Sequence, residues 1–386
     1  MIPYGRQDIT EDDINSVIDV LKSDFLTQGP MVPKFEKLVT DYVGANHGIA
    51  VNSATSALHI ACMALNLSDG DILWTSPITF VASSNCGIYC GANIDFVDID
   101  PMTYNMCPKA LEKKLIQAKV NGCLPKIVIP VHLTGQSCDM EQISKLSKKY
   151  GFKIIEDASH AIGGKYKEDF IGSCKYSDIT VFSFHPVKII TTCEGGMALT
   201  NQEALAASMN LHRTHGITRN NDEMVNIPDG PWSYEQIKLG FNYRMTDIQA
   251  ALGCSQMDRL TDYVNLRHKK YSLYNDLLKD LPIMLPWQDP KSYSGMHLYV
   301  IRLKINEVNL SHKQFFEQLK EMGIGVNLHY IPVYRHPYYK KFGYINSDFP
   351  NSEAYYSEAI SLPMFPLLED DQIRYISSSI KKILDV

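Results

Sequence analysis

Three short segments carry residue types that could do chemistry together. In Ser183-Phe-His-Pro-Val-Lys188-Ile-Ile190, a lysine lies among Val187, Ile189 and Ile190. An ammonium stripped of water loses its proton more readily, and a neutral amine attacks a carbonyl carbon. Taken alone, such a lysine more often snorkels to solvent. Glu156-Asp157-Ala-Ser-His160 closes an apolar run with carboxylates. A carboxylate at the end of a buried strand needs a partner, and helix capping is its plainest use. Asn52-Ser-Ala54-Thr55-Ser-Ala-Leu58 sets small and hydroxyl-bearing residues where a helix pattern begins. Backbone N–H groups there favour an anion, although a simple Ser/Thr N-cap uses the same residues.

Each segment follows a short β-branched run. Such runs occur at Gly48–Val51, Ile72–Ser76, Phe96–Ile99, Ile127–Val131, Lys153–Glu156, Ile179–Phe184 and Met197–Thr200, with helix-like stretches between them. The alternation predicts an α/β fold with a seven-stranded, mostly parallel sheet covered by helices. Thr10-Glu-Asp-Asp13 forms a capping-box pattern ahead of an apolar stripe at Ile14, Val17, Ile18 and Leu21. Residues 201–255 read as mostly helical, with a loop around Asn220–Tyr234. Beyond residue 256 the pattern changes to a long helix (Leu260, Val264, Tyr271), a strand at His297–Leu303 and a helix at Lys313–Met322. We therefore expect a large unit over residues 1–255 and a smaller α+β unit over 256–386. In open α/β sheets, ligands sit beyond the carboxyl ends of the strands. An amine, a carboxylate and an anion cradle at three such ends are what pyridoxal phosphate requires for its aldehyde, its ring nitrogen and its phosphate.

Composition narrows the field. The chain has 386 residues, 45% apolar and 21% charged, and 37 basic residues against 43 acidic ones give a net charge of −6. A weakly acidic protein offers no general basic field for nucleic acid. No apolar run reaches membrane-spanning length, and the polar opening MIPYGRQDITEDD lacks the apolar core of a signal peptide. Nine scattered cysteines, odd in number and without C-x-x-C, argue for free thiols in a reducing cytoplasm rather than disulfides or zinc. No metal site is expected.

Several motifs in order resemble one family over about residues 2–383. They are LTQGP (26–30), NSATSALH (52–59), SPITFVASSN (76–85), EDASHAIGG (156–164), SFHPVKIITTCEGG (183–196), HRTHG (212–216), GFNYRMTDIQAALG (240–253) and LHYIP (328–332). The chain resembles the DegT/DnrJ/EryC1/StrS group of nucleotide-sugar aminotransferases, which share the aspartate-aminotransferase fold type I and use pyridoxal 5′-phosphate, cycling through its pyridoxamine form.

The resemblance implies residue roles. Lys188 holds the cofactor and moves the proton, Asp157 partners the ring nitrogen, and His160 lies near the ring hydroxyl. Phe80 stacks on the ring. Ala54, Thr55 and Ser183 bind the phosphate, with Ala54 standing where the family often has glycine. Asn242 reaches the phosphate from a second subunit, so the resemblance implies a homodimer with shared sites. Thr27, Arg244, His215, His329 and Tyr330 face the substrates. The amino donor implied is L-glutamate and the acceptor a UDP-linked 4-keto-6-deoxy sugar.

The opening MIPYGRQDIT, with NSATSALH and SFHPVKIITT, resembles most the branch that makes UDP-4-amino-4,6-dideoxy-N-acetyl-β-L-altrosamine for pseudaminic acid. Another UDP- or dTDP-keto-sugar aminotransferase is the nearest alternative. A sugar dehydratase of the same fold, which can carry histidine at the lysine position, is a second. A non-catalytic binding relative is a third. Lys188 stands against the dehydratase, and retention of Lys188, Asp157 and the cradle together stands against the relic.

Overall fold

The structure, a computed structural model, describes residues 1–385. Seven strands form its central sheet: β1 (His47–Val51), β2 (Ile72–Thr75), β3 (Asn93–Phe96), β4 (Ile127–Ile129), β5 (Lys153–Asp157), β6 (Ile179–Ser183) and β7 (Gly196–Thr200). Their order is β1-β7-β6-β5-β4-β2-β3. β7 runs antiparallel to both β1 and β6, and the other pairings are parallel.

Alternate side chains serve opposite faces. Ile49, Val51, Leu73, Ile127, Ile129, Ile155, Ile179 and Val181 pack with Leu58, Cys62 and Met209 from helices Ala54–Ala64 and Glu203–Arg213. Ala50, Phe182, Met197 and Leu199 turn the other way, onto Phe35, Val39 and Met257. Trp74, Val128 and Ile154 extend that second face against Leu111, Leu115 and Ile143. Burial on both faces explains why these strands read as continuous apolar runs.

A second core surrounds a three-stranded antiparallel sheet in which Tyr299–Leu303 lies between Ile283–Met284 and Ala359–Leu362. Helices Leu260–Leu278, His312–Glu321 and Asp370–Leu384 contribute Tyr274, Phe315 and Ile376 to it. The first residues join this core: Ile2 N–H donates to the Gly323 carbonyl (2.8 Å), and Tyr4 O accepts from Met364 N–H (3.0 Å).

Two expectations need correction. The third strand pairs over Asn93–Phe96 rather than Phe96–Ile99, because its partner β2 ends at Thr75, just before Pro77. Between the Glu203–Arg213 and Asp247–Met257 helices, the chain makes a long excursion with only a two-residue ladder, Ile217–Thr218 on Glu235–Gln236, so residues 201–255 are less helical than their composition suggests. The first helix, Glu11–Leu21, has its capping box, but Asp13 and Val20 are its buried residues. Ile14 and Leu21 of its apolar stripe are 42% and 55% exposed.

Candidate active site

Strand register brings the three segments to one place. Val51 and Ser183, the last residues of β1 and β6, both pair with Gly196 at the start of β7. A Cβ on Gly196 would lie 2.5 Å from the Ala54 nitrogen. Glycine there allows the sheet to pass directly beneath the start of the Ala54–Ala64 helix. Ser53 caps that helix, its Oγ accepting from Ser56 N–H at 3.1 Å. The Ala54 and Thr55 N–H groups, in the first turn, have no intrahelical acceptor and are available to an anion. Asp157 ends β5, in register with Val181 of β6.

These ends open into a cavity of about 1050 Å³ whose wall includes Ala54, Thr55, Phe80, Asp157, His160, Ser183, Lys188, His329 and Tyr330. Asp157 is 5% exposed. Its Oδ2 accepts from Ser83 Oγ (2.6 Å), and its Oδ1 accepts from Ser159 Oγ (2.6 Å) and Ser159 N–H (3.1 Å). Hydroxyls and an amide thus fix the carboxylate while leaving its charge for a cationic ring nitrogen. Lys188 is half-buried and lines the cavity. Loss of hydration draws its pKa from 10.5 to about 8, against the opposing attraction of Asp157. Near neutral pH it therefore has a usable fraction of free amine.

The histidines beside Lys188 remain neutral. His160 Nδ1 accepts from Thr134 N–H (3.3 Å), so the proton sits on Nε2, which faces the Tyr330 hydroxyl at 3.1 Å. Burial, then the charge of Lys188 and the neighbouring His329, hold His160 well below its ordinary pKa. Burial and Lys188 bring His329 down to about 3. Its Nε2 faces Asn327 Nδ2 (3.4 Å) and its Nδ1 faces Ser361 Oγ (2.8 Å). Phe80 is 59% exposed and tilts toward Tyr330, with ring centroids 6.2 Å apart.

Four expected residues are not brought into this cavity. Thr27 and Arg244 sit on neighbouring turns, where Thr27 bridges Thr246 and Arg244 bridges Val51. Buried Asp247 binds those turns together by accepting from the Gly29 and Met31 N–H groups, both at 2.8 Å. Asn242 is exposed and bridges Thr214, and His215 is exposed beside it. The backbones of Thr27, Arg244 and Asn242 are engaged in these isolated bridges. The wall also contains residues the sequence reading missed: Tyr4, Asn327, Glu194, Gln249 and His297. Ser83, which holds Asp157, was hidden inside SPITFVASSN, where nothing distinguishes it from Ser84.

The DegT/DnrJ/EryC1/StrS aminotransferase family matches residues 7–381. The chain belongs to that family. This aminotransferase is 36% identical over 386 residues to the spore coat polysaccharide biosynthesis protein SpsC of Bacillus subtilis, covering 99% of this chain and 97% of that one. It is 35% identical over 392 residues to the UDP-4-amino-4,6-dideoxy-N-acetyl-β-L-altrosamine transaminase of Campylobacter jejuni serotype O:23/36, covering 100% and 98%. Among solved structures, Helicobacter pylori PseC, an aminotransferase involved in pseudaminic acid biosynthesis, superposes with a TM-score of 0.90 at 30% identity, covering 100% and 99%.

The protein is thus a pyridoxal-phosphate-dependent sugar aminotransferase with the fold of that family. The residues present suit the cofactor. Free N–H donors would suit a phosphate, an enclosed carboxylate without a cationic contact would suit the ring nitrogen, and a partly neutral lysine amine would suit the aldehyde. Among the described residues, no cluster of His, Cys, Asp and Glu is arranged to hold a metal, and no helix is long and apolar enough to cross a membrane.

Proposed function

We propose that this aminotransferase moves the amino group of L-glutamate to C4 of a UDP-linked 4-keto-6-deoxy-N-acetylhexosamine, giving UDP-4-amino-4,6-dideoxy-N-acetyl-β-L-altrosamine. The observation that carries the reading is the pairing of a depressed lysine amine with an enclosed carboxylate in a cavity of about 1050 Å³. Similarity to the Campylobacter transaminase along the whole chain supports the sugar.

Lys188 is the amine that would hold the cofactor aldehyde, and Asp157 would hold its ring nitrogen. Ala54, Thr55 and Ser183 would hold its phosphate, and Phe80 would cover its ring. When bound, the cofactor supplies an electron sink that allows the C–H bond beside the substrate amine to give up its proton. Lys188 Nζ, neutral and close, takes that proton from the donor carbon and delivers one to the sugar C4. Asp157 keeps the ring nitrogen protonated, and the Ser83 and Ser159 hydroxyls keep the carboxylate aimed. His160 anchors Tyr330 at the cavity wall.

We read the functional unit as a homodimer in the cytoplasm. No arginine lines the cavity among the described residues, yet a sugar diphosphate and a dicarboxylate donor need cations. Arg244, Asn242, His215 and Thr27 lie outside their own cavity and suit service to a partner's. Exposed Ile9, Ile14, Leu21, Phe25 and Leu26 offer the second copy an apolar surface. All nine cysteines are free, as a reducing compartment would keep them.

Product identification by NMR tests the assignment, using glutamate with a panel of UDP- and dTDP-linked 4-keto-6-deoxy sugars. The expected product is the UDP-linked 4-amino sugar. Turnover only with a dTDP sugar would overturn it.

A further inference from the structure

His297 is 3% exposed and lines the same cavity, and none of the roles above uses it. Its main chain is pinned on both sides. The N–H donates to the Thr134 carbonyl (2.8 Å), and the carbonyl accepts from Arg267 Nη1 (3.1 Å). Arg267 is itself buried and also donates to the Met296 and Met364 carbonyls, so this stretch is braced from behind. The imidazole is different. Its Nδ1 is sealed away from solvent with no partner. Among the described residues nothing hydrogen-bonds the ring, although it lies 4.4 Å from the fully satisfied ring of His160.

The sealed Nδ1 is out of a ligand's reach, but Nε2 is not sealed and has no partner among the described residues either, and an unpaired polar atom on a cavity wall points to a partner that enters the cavity. An orphaned N–H is rarer than an under-used acceptor, so the proton belongs on Nε2 and the sealed Nδ1 carries the lone pair. We propose that His297 is a substrate-positioning residue whose Nε2–H donates a hydrogen bond to an oxygen of the sugar ring.

The inference rests on the sugar-transferring reading above. Its chemistry favours a sugar oxygen over a carboxylate. Burial and the nearby His160, Lys188, Arg267 and His329 all resist a positive charge on this ring. His160 and His329 are likewise neutral, and Tyr330 and Asn327 complete a wall of uncharged donors and acceptors. Carboxylates are held by cations, whereas hydroxyl and carbonyl oxygens accept from neutral donors.

His297→Leu and His297→Asn differ little in shape but differ in whether they can donate. The test follows the glutamate and keto-sugar half-reactions separately by cofactor absorbance. It also measures calorimetric binding of the UDP-amino-sugar product. His297→Leu is expected to raise the keto-sugar KM and the product Kd by about tenfold, while the glutamate half-reaction changes less than about twofold. His297→Asn is expected to recover most of both losses. Equal slowing of the two half-reactions overturns the proposal, as does an unchanged product Kd in His297→Leu. If the unaltered protein turns over no 4-keto sugar, the functional reading fails. If it does and His297→Leu matches it, only the role of His297 fails.

Discussion

At the scale of single residues, Lys188 shows how enclosure makes a base. Water is lost around its ammonium faster than Asp157 can compensate, so the amine titrates near pH 8 rather than 10.5. Capture of pyridoxal phosphate by the apoprotein, followed by absorbance, is expected to quicken roughly tenfold per pH unit up to about 8 and then level off. A profile still rising at pH 10 would show an ordinary lysine. Borohydride reduction of the yellow holoprotein should fix the cofactor's mass on the Lys188 peptide, and Lys188→Ala should lose both that label and turnover while still binding the cofactor.

The Ser83 hydroxyl holds the carboxylate proposed to sustain the electron sink. Asp157→Ala should therefore reduce kcat by about a hundredfold or more, and Ser83→Ala by about tenfold, in steady-state assays. That the lysine and the aspartate would share one cavity could be read from the chain because each follows a strand in telling company. Ser83 and His297 could not. Their meaning lies in a neighbour that the chain places far away in sequence.

Secondary-structure elements meet the site through two constraints. The first is the close passage of β7 beneath the cradle helix. Gly196→Ala would drive a methyl into the Ala54 backbone, where nothing flexible can yield, and should weaken cofactor affinity about tenfold or more by equilibrium dialysis. The second is Asp13, on the first helix. Burial alone would raise its pKa, but hydrogen bonds from Arg259, Ser255 and the Thr10 backbone prevail and lower it below 3.8. Its Oδ2 lies 2.6 Å from Arg259 Nη2 and 2.9 Å from Gln256 Nε2. Because the folded pKa is the lower one, this stabilisation is full above the unfolded value and disappears as pH falls through the folded value. Asp13→Ala should lose about 3 kcal/mol in urea titrations at pH 7, with the gap to wild type narrowing in acid.

The same helix shows where sequence periodicity reaches its limit. Its capping box and start were legible in Thr10–Asp13, whereas its apolar stripe is partly open. A stripe says that a face needs cover without saying which surface supplies it. The alternating runs of the central sheet were legible because both faces are filled from within the chain. β3 drifted because pairing depends on where its neighbour ends.

For the whole molecule, the sharpest test of the shared-site reading is complementation. Lys188→Ala and the double variant Asn242→Ala/Arg244→Ala should each be inactive alone. After mixing and subunit exchange, the hybrid dimer has one cavity with an intact lysine and an intact partner segment, and activity should reappear. Continued silence in a demonstrated hybrid would mean that each chain works by itself. One feature bears on how such an enzyme could change its preference. Asp247 clasps the turn bearing Thr27 to the turn bearing Arg244, so the two are spaced by a buried carboxylate rather than by their own loops. Transplanting either turn alone from a relative would leave the clasp mismatched. Retuning this protein requires the two turns to be exchanged together, as a matched pair of jaws.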